Sequence, residues 1–308
     1  MPSPTAQQSH IDRALTNVSI AYQNAAYIWN DIFPQVSVAK QTDKFFTFPK
    51  AAWFRDETAV RAPGARARRA DYTLSTDNYV CVEKALAKQV PDEVIKNSDD
   101  PLKPLIRATQ YVTDQIFKSI EKDVTDLVFG ASTWATSATP SPTWDNDASD
   151  PLTDIETGMY SIAAAIGREP NVGVMGRGLW RYLKNHPDIV DRLKYGQTAG
   201  SAAKVTIEGV AALVGIEKLL VSRSLIDTGN EGAAESLGFI GGNHLAMIYV
   251  PGSAALDEPA AGYTFVWKGR EVNRYREDQE HADVVECLLS WDAKITASDA
   301  GYLVKSAA

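Results

Sequence analysis

The sequence predicts an α+β fold that is organised around one long helix. Three observations indicate this: an amphipathic stretch at residues 101–130, two β-like runs separated by an arginine-rich connection, and short alternating α and β segments after residue 171. A chain of 308 residues is long enough to bury a sizeable core in one elaborate domain or two. The chain therefore has room for a unit of helix and sheet and for a second, α/β subdomain.

Residues 101–130 are predicted to form the long helix. Asp100 can cap its start, and Gly130 suits its end. About 28 residues at ~1.5 Å each give a rod of roughly 40 Å, which needs a large domain or an extended protein to pack against. Charged residues mark the solvent-exposed side, namely Lys118, Glu121 and Lys122. Apolar residues recur three or four positions apart along the other face: Leu105, Tyr111, Val112, Ile116, Ile120, Val124, Leu127 and Val128.

A projecting hairpin is predicted for residues 40–90. β-like runs at residues 44–49 and 72–87 flank a connection, residues 53–70, that has no helical stripe. A connection of this length inside a compact domain is unusual and commonly functional. It contains five arginines, Arg55, Arg61, Arg66, Arg68 and Arg69.

The arginine-rich connection has three interpretations. It can be a nucleic-acid patch, a solvated loop tip, or a surface whose arginines pair with carboxylates of a neighbouring subunit, since arginine is favoured at interfaces. The net charge of −8 argues against tight nucleic-acid binding through a broad surface. In a chain this acidic we prefer the third interpretation.

Short alternating elements between residues 171 and 258 predict the α/β subdomain. A helix through about residue 166 precedes it, after an irregular loop at residues 131–150. The tail holds further β-like runs at residues 263–268, 272–275, 284–293 and 301–304. We expect these runs to pair beside the long helix, so that the chain leaves its first subdomain, builds the second and returns.

Composition and motifs argue against several classes of function. No apolar run approaches the ~20 residues of a membrane span, and the first residues lack a signal peptide, so we expect a cytoplasmic product. Cys81 and Cys287 are expected to be reduced and partly buried. The histidines have no second ligand at zinc spacing, and there is no phosphate-binding loop or nucleophile elbow. We therefore expect no catalytic residue, metal or cofactor, which favours a structural protein.

Several local strings follow one another in a recognisable order between about residues 28 and 270. They are Trp53-Phe54-Arg55-Asp56-Glu57 with Arg61-Ala62-Pro63-Gly64, Ser75-Thr76-Asp77-Asn78-Tyr79, Pro91-Asp92-Glu93, Trp180 with His186-Pro187-Asp188-Ile189, Asn243-His244, and Ala261-Gly262-Tyr263-Thr264-Phe265-Val266-Trp267. In these strings the chain resembles the major capsid proteins of tailed bacteriophages, which have the Hong Kong 97-type shell fold.

The resemblance implies an order of parts along the chain. These are an amino-terminal arm (1–39), an extended hairpin loop (40–90), a peripheral domain with a spine helix (91–170), an axial α/β domain (171–258) and return strands of the peripheral domain (259–308). It also implies a structural subunit that self-assembles into pentamers and hexamers of an icosahedral head. The expected location is the virion, with assembly in the host cytoplasm.

The resemblance implies partners as well. Beyond other copies of the chain, these are a portal, a decoration protein and packaged double-stranded DNA that is bound without sequence specificity. The chain shows no long helical segment before its arm, so a separate scaffold protein is expected. Some relatives form covalent lysine–asparagine cross-links; Lys50 lies near the hairpin, but we predict no cross-link.

The residues expected at the inter-subunit interface lie mostly on the hairpin loop. Trp53 and Phe54 are the expected apolar anchors. The charged members of the loop are Arg55, Asp56, Glu57, Arg61, Arg66, Arg68 and Arg69. The expected acidic counterparts, on the spine helix or the turn before it, are Asp92, Asp114 and Glu121.

Two alternatives stay open at the level of sequence. An encapsulin-like nanocompartment shell shares the fold and carries protein cargo. A soluble α+β enzyme with a carboxylate-based site and a mobile loop at residues 53–70 belongs to a different class, and it predicts a compact monomer or small oligomer. A shell protein instead predicts an extended subunit and particles of megadalton mass.

Overall fold

A computed structural model describes residues 10–11, 27–47, 50, 54–71, 75–98, 103–195, 205–229, 232, 234–253 and 258–308. Within these ranges the strands form two five-stranded sheets and two two-stranded sheets. The long helix packs on the first five-stranded sheet, and shorter helices pack on the second. The predicted α+β class is confirmed.

The elements are numbered in chain order. The strands are β1 (His10–Ile11), β2 (Gln35–Ser37), β3 (Thr42–Thr47), β4 (Ser75–Val80), β5 (Val82–Pro91), β6 (Thr136–Ala138), β7 (Val172–Gly176), β8 (Lys218–Ser222), β9 (Leu225–Asp227), β10 (Leu237–Phe239), β11 (Leu245–Ile248), β12 (Gly262–Glu277), β13 (Ala282–Ile295) and β14 (Gly301–Val304). The helices are α1 (Trp29–Ile32), α2 (Asp92–Asn97), α3 (Pro104–Val128), α4 (Pro151–Ile166), α5 (Arg177–Leu183), α6 (Pro187–Tyr195) and α7 (Ile207–Val214).

The first five-stranded sheet is built on the long antiparallel pair of β12 and β13. β5 pairs with β13 on one side, while β1 and the parallel strand β2 pair with β12. Its core-facing side chains include Val272 and Cys287, which are fully buried. The prediction that the tail runs 263–268, 272–275 and 284–293 pair beside the long helix is confirmed, with the first two runs joined in one strand.

The long helix α3 begins at Pro104, three residues later than predicted. Lys103 precedes it with a left-handed backbone (φ 35°), a conformation that residues other than glycine seldom adopt. The predicted start at Asp100 and Pro101 lies outside the described residues. The main apolar stripe is confirmed, since the side chains buried on α3 include those of Val112, Ile116, Ile120, Val124 and Val128.

Two residues of α3 contradict the predicted faces. Tyr111, placed on the apolar stripe, is 49% exposed, and the Lys88 ammonium lies over its ring. Glu121, placed on the exposed side, is fully buried. The buried face is wider than the apolar pattern because the buried threonines Thr113 and Thr125 extend it toward Glu121.

The second five-stranded sheet has the order β6-β14-β11-β7-β8. The predicted position of the run 301–304 beside the long helix is wrong, because β14 pairs with β11 and β6. β13 already has a neighbour on each side, and all four residues of β14 are buried, as in the interior strand of a covered sheet. The five-part division of the chain stays a prediction, and two strands outside residues 171–258 share this sheet.

Among the glycines in and just after β7, Gly176 has the least space. A β-carbon there would lie 1.8 Å from the carbonyl oxygen of Gly242. Because that oxygen belongs to the backbone, we expect Gly176→Ala to lower the free energy of unfolding by about 3 kcal/mol. Urea unfolding of the unassembled subunit measures this change.

Gly252→Ala is the matched control, since a β-carbon at Gly252 meets no atom within 4 Å. We expect it to change the free energy of unfolding by about 0.5 kcal/mol or less. Equal effects of the two substitutions would contradict the close approach of the backbones at Gly176.

Candidate inter-subunit interface

The projecting hairpin consists of β3 and β4, which pair from Thr42 opposite Val80 to Thr47 opposite Ser75. The predicted hairpin is therefore confirmed. After β4 only Cys81 intervenes before β5, so the same stretch of chain leaves the hairpin and enters the first sheet. The loop at residues 54–71 is the described part of its tip.

The base of the hairpin is fixed to the first sheet by aromatic packing. The ring of Phe265 on β12 stacks on Tyr79 at a centroid distance of 4.6 Å and contacts Phe45 at 5.3 Å. The Tyr79 hydroxyl donates to the carbonyl of Lys40 (3.2 Å), and the Cys81 amide donates to the carbonyl of Gln41 (2.9 Å). The hairpin thus projects from a rigid base.

The loop at residues 54–71 makes little contact with its own subunit. All of its residues except Glu57 are exposed. The side chain of Val60 is fully exposed, and that of Phe54 is 58% exposed although its ring lies beside Gly167. Trp53, the other expected anchor, lies outside the described residues. Exposed apolar side chains on a projecting loop are typical of a surface that another chain covers.

The charges of the loop are only partly balanced within it. Arg55 and Arg68 both lie near Glu57, with N–O distances of 3.6 and 3.9 Å. Asp56 accepts hydrogen bonds from the Thr58 amide and hydroxyl, which lower the pKa of the Asp56 carboxyl. No ion pair within the described residues involves the remaining arginines, Arg61, Arg66 and Arg69.

The expected acidic counterparts are engaged within the same subunit. Asp92 binds the Arg276 guanidinium through both oxygens, at 2.5 and 2.8 Å, and these hydrogen bonds hold the pKa of the Asp92 carboxyl below its usual range. Asp114 accepts a hydrogen bond from the Tyr27 hydroxyl at 3.1 Å. For Glu121 the expectation is wrong, because its buried carboxylate cannot reach an arginine of another chain.

Glu121 instead joins three parts of the subunit. Its Oε2 accepts hydrogen bonds from the backbone amides of Ile28 (3.0 Å) and Trp29 (2.9 Å), and the hydroxyl of Ser224 donates to its Oε1 (3.3 Å). Burial raises the pKa of the Glu121 carboxyl, and these hydrogen bonds oppose that rise. Sequence reasoning missed this role because the neighbouring charges suggested an exposed face; the threonines Thr113 and Thr125 were the available signal.

A serine, a histidine and an aspartate converge between the irregular loop and α6, but they do not form a catalytic triad. The Ser149 hydroxyl donates to the carbonyl of Asn146 (2.8 Å), and Nε2 of His186 lies 3.1 Å from the Ser149 hydroxyl oxygen and 3.4 Å from the same carbonyl oxygen. In a triad Nδ1 of the histidine donates to the aspartate, whereas Nδ1 of His186 forms no hydrogen bond among the described residues. Ser149 and His186 are both buried, and Asp188 is 3.8 Å from the ring. The cluster fastens the loop to the start of α6.

In the part of the chain that the structure describes, no group of three or more histidine, cysteine, aspartate or glutamate side chains can hold a metal ion. Cys81 and Cys287 are both buried, and their reduced state stays a prediction. Among the described residues, no helix has the length and apolar character needed to cross a membrane.

Comparison with known proteins identifies relatives among phage capsid proteins. The major capsid protein of Burkholderia phage BcepMu is 29% identical over 307 residues, which cover 96% of this chain and 95% of the relative. The major capsid protein of Pseudomonas phage JBD67 is 27% identical over 243 residues, or 78% of this chain and 77% of the relative. No protein-family model matches the chain.

Solved structures agree on the fold. A phage-related protein from Bordetella bronchiseptica superposes with a TM-score of 0.75 at 24% identity and covers 97% of this chain and 98% of its own. The capsid of the cyanophage P-SCSP1u superposes with a TM-score of 0.60 at 10% identity, over 99% of this chain and 92% of the cyanophage chain. The chain is thus a homologue of phage major capsid proteins and has the Hong Kong 97-type fold.

Proposed function

We propose that this chain is the structural subunit of an icosahedral phage head, which self-assembles into pentamers and hexamers around double-stranded DNA. The observation that carries the proposal is the projecting loop at residues 54–71. It is basic, it exposes apolar side chains, and all of its residues except Glu57 are exposed in the described part of the subunit. A free monomer gains nothing from such a loop, whereas a neighbouring copy can cover it.

In an assembled shell, contacts of this loop with neighbouring copies contribute to the stability of the shell. Interfaces of permanent assemblies bury large areas and are more apolar than transient ones. Each contact between copies is repeated around every capsomer, so many modest contacts together stabilise a closed shell. The rigid aromatic base of the hairpin reduces the conformational entropy that is lost when the loop binds.

Within this proposal the loop contacts exposed carboxylates of a neighbouring copy. The contacting residues are Trp53, Phe54, Arg61, Arg66 and Arg69. Support comes from the exposure of the three arginines and from their lack of ion pairs within the described residues. Arg55 and Arg68, which share Glu57, have the supporting role of stiffening the loop.

The subunit also has expected partners and an expected location. We propose assembly in the host cytoplasm with a separate scaffold protein and a portal, followed by incorporation into the virion, where a decoration protein has an outer surface to bind. The acidic chain favours a wall that does not bind DNA tightly. A role without catalysis is supported by the capsid names of the relatives and by the burial of Ser149 and His186.

Negative-stain electron microscopy of the size-separated recombinant protein tests the proposal. We expect closed shells or capsomer rings, either from the chain alone or after co-expression with the scaffold protein of the same phage. A homogeneous small particle in several salts and concentrations, with the scaffold present, would overturn it. Particles from phage-producing cells that contain protein cargo in place of DNA would favour the nanocompartment alternative.

A further inference from the structure

One cavity of the subunit lies between the long helix and the first sheet. Its volume is about 840 Å³, and its lining combines polar and apolar surface. Phe117 and Ile120 line it from α3, and Leu289 and Trp291 line it from β13. Arg270 on β12 enters the same space, where apolar side chains would ordinarily fill the layer between a helix and a sheet.

A local irregularity of β12 places Arg270 there. The register between β12 and β13 shifts once between Val266 and Lys268 and again between Lys268 and Glu271. Such bulges redirect side chains and recur next to functional sites. Val266 and Arg270 both line the cavity, and Arg270 lies over the Phe117 ring of α3 at 4.8 Å.

The Arg270 guanidinium has no carboxylate partner among the described residues. Its Nε is buried and forms no hydrogen bond there. Burial lowers the pKa of the Arg270 guanidinium, as expected for a cation without a counter-charge. An unpaired, partly desolvated cation is costly, so such a group gains much from an incoming anion.

Two carboxylates at or beside the cavity, those of Asp31 and Asp123, are already engaged. Asp31, which also lines the cavity, pairs with Lys218 on β8 at 2.5 Å. Asp123 on α3 pairs with Lys84 at 2.7 Å and accepts a hydrogen bond from Trp291. The described residues therefore provide no carboxylate that pairs with the Arg270 guanidinium.

We propose that Arg270 receives a carboxylate side chain from a second copy of this chain in the assembled shell. This inference rests on the proposed function. The guanidinium fork matches a carboxylate in two parallel hydrogen bonds. The aromatic rings of Trp29 and Trp291 suit the aliphatic stem of an acidic side chain, and the amides of Asn30 and Gln35 supply further polar groups.

A second copy is the favoured source for two reasons. The chain has 39 acidic residues against 31 lysines and arginines, so neighbouring copies present an excess of carboxylates. In a shell a neighbour also holds its side chains at a high effective concentration, which a free anion does not have. A carboxylate side chain of the neighbouring copy then enters the cavity only when the subunits assemble.

The test compares Arg270→Met with Lys268→Met. Methionine retains much of the volume at position 270 and removes the charge, so we expect the subunit to fold at least as stably. We expect the concentration needed for shell formation to rise at least about tenfold. Lys268→Met is the matched control, since it removes one charge from the same bulge at an exposed position that faces Glu83; we expect it to assemble as the wild type does.

A cryo-electron microscopy map of the wild-type shell supplies the second measurement. We expect an aspartate or glutamate of an adjacent copy within about 3 Å of the Arg270 guanidinium. The proposal is overturned if Arg270→Met assembles normally, or if the map shows only water, a scaffold segment or an acid of the same chain in the cavity. Failure of the wild type to form shells would instead overturn the proposed function, so the two failures are distinguishable.

Discussion

Replacing Arg61, Arg66 and Arg69 together by glutamate is expected to abolish shell formation while the subunit stays folded. These side chains are exposed and form no ion pair within the described residues, so their loss removes no described ion pair of the isolated subunit. At an interface with carboxylates, each reversal replaces an attraction by a like-charge contact that costs several kcal/mol. The particle distribution after size separation, measured by microscopy, reports assembly.

The control for this variant replaces the same three arginines by lysine. Lysine keeps the charge and loses the planar fork, so we expect shells to form with reduced yield and with greater sensitivity to salt. Circular dichroism and thermal unfolding of both triple variants verify that the subunit is intact. Normal assembly of the glutamate variant would show that the loop arginines are not interface residues.

Replacing Glu121 by alanine is expected to lower the free energy of unfolding of the subunit by about 2–4 kcal/mol. The substitution removes the acceptor for the backbone amides of Ile28 and Trp29 and leaves a cavity at a fully buried position. It also removes the acceptor of the hydrogen bond from the Ser224 hydroxyl, and Ser224 follows β8 of the second sheet. Urea unfolding of the unassembled subunit measures the loss.

Glu121→Gln is the matched control and reveals the pH dependence. The amide oxygen can accept from the two backbone amides and its NH₂ can donate to Ser224, so we expect a stability within about 1 kcal/mol of the wild type at neutral pH. Burial raises the pKa of Glu121 in the folded state, so the folded state binds more protons than the unfolded state between the two pKa values.

The sign of the pH effect follows from this difference. The stability that Glu121 contributes is greatest below its unfolded pKa of 4.5 and is lost as the pH rises through its higher folded value. Carboxylates with lowered pKa, such as Asp92, act in the opposite direction. The informative quantity is therefore the wild-type stability minus that of Glu121→Gln, which we expect to fall as the pH rises. A difference that does not change between pH 4 and 8 would contradict the raised pKa.

The sequence predicts the parts of this fold that depend on local periodicity. The stripe at Val112, Ile116, Ile120 and Val124 identifies the long helix because a 3.6-residue period has no other common cause. The hairpin follows from two β-like runs around a connection without periodicity. Both predictions depend only on the pattern of residues within one segment of the chain.

The features that sequence reasoning missed depend on contacts between distant segments. Nothing local distinguishes β14 from the runs of β12 and β13, because its partners in the sheet are residues 136–138 and 245–248. Glu121 was misplaced because its partners, Ile28 and Ser224, are about a hundred residues away in either direction. Arg270 gave no signal at all, since a bulge is a property of two paired strands.

The passage of the chain from hairpin to sheet has a mechanical consequence. A pull on the loop tip travels along β4 through Cys81 into β5, in the direction of the strand axis. β5 is held by β13 over ten residues, from Val82 opposite Trp291 to Pro91 opposite Ala282. Hydrogen bonds of an antiparallel pair lie perpendicular to the strands, so this load shears the whole ladder at once and does not unzip it bond by bond. The joint between the loop and the body of the subunit therefore resists a pull along the axis of β5.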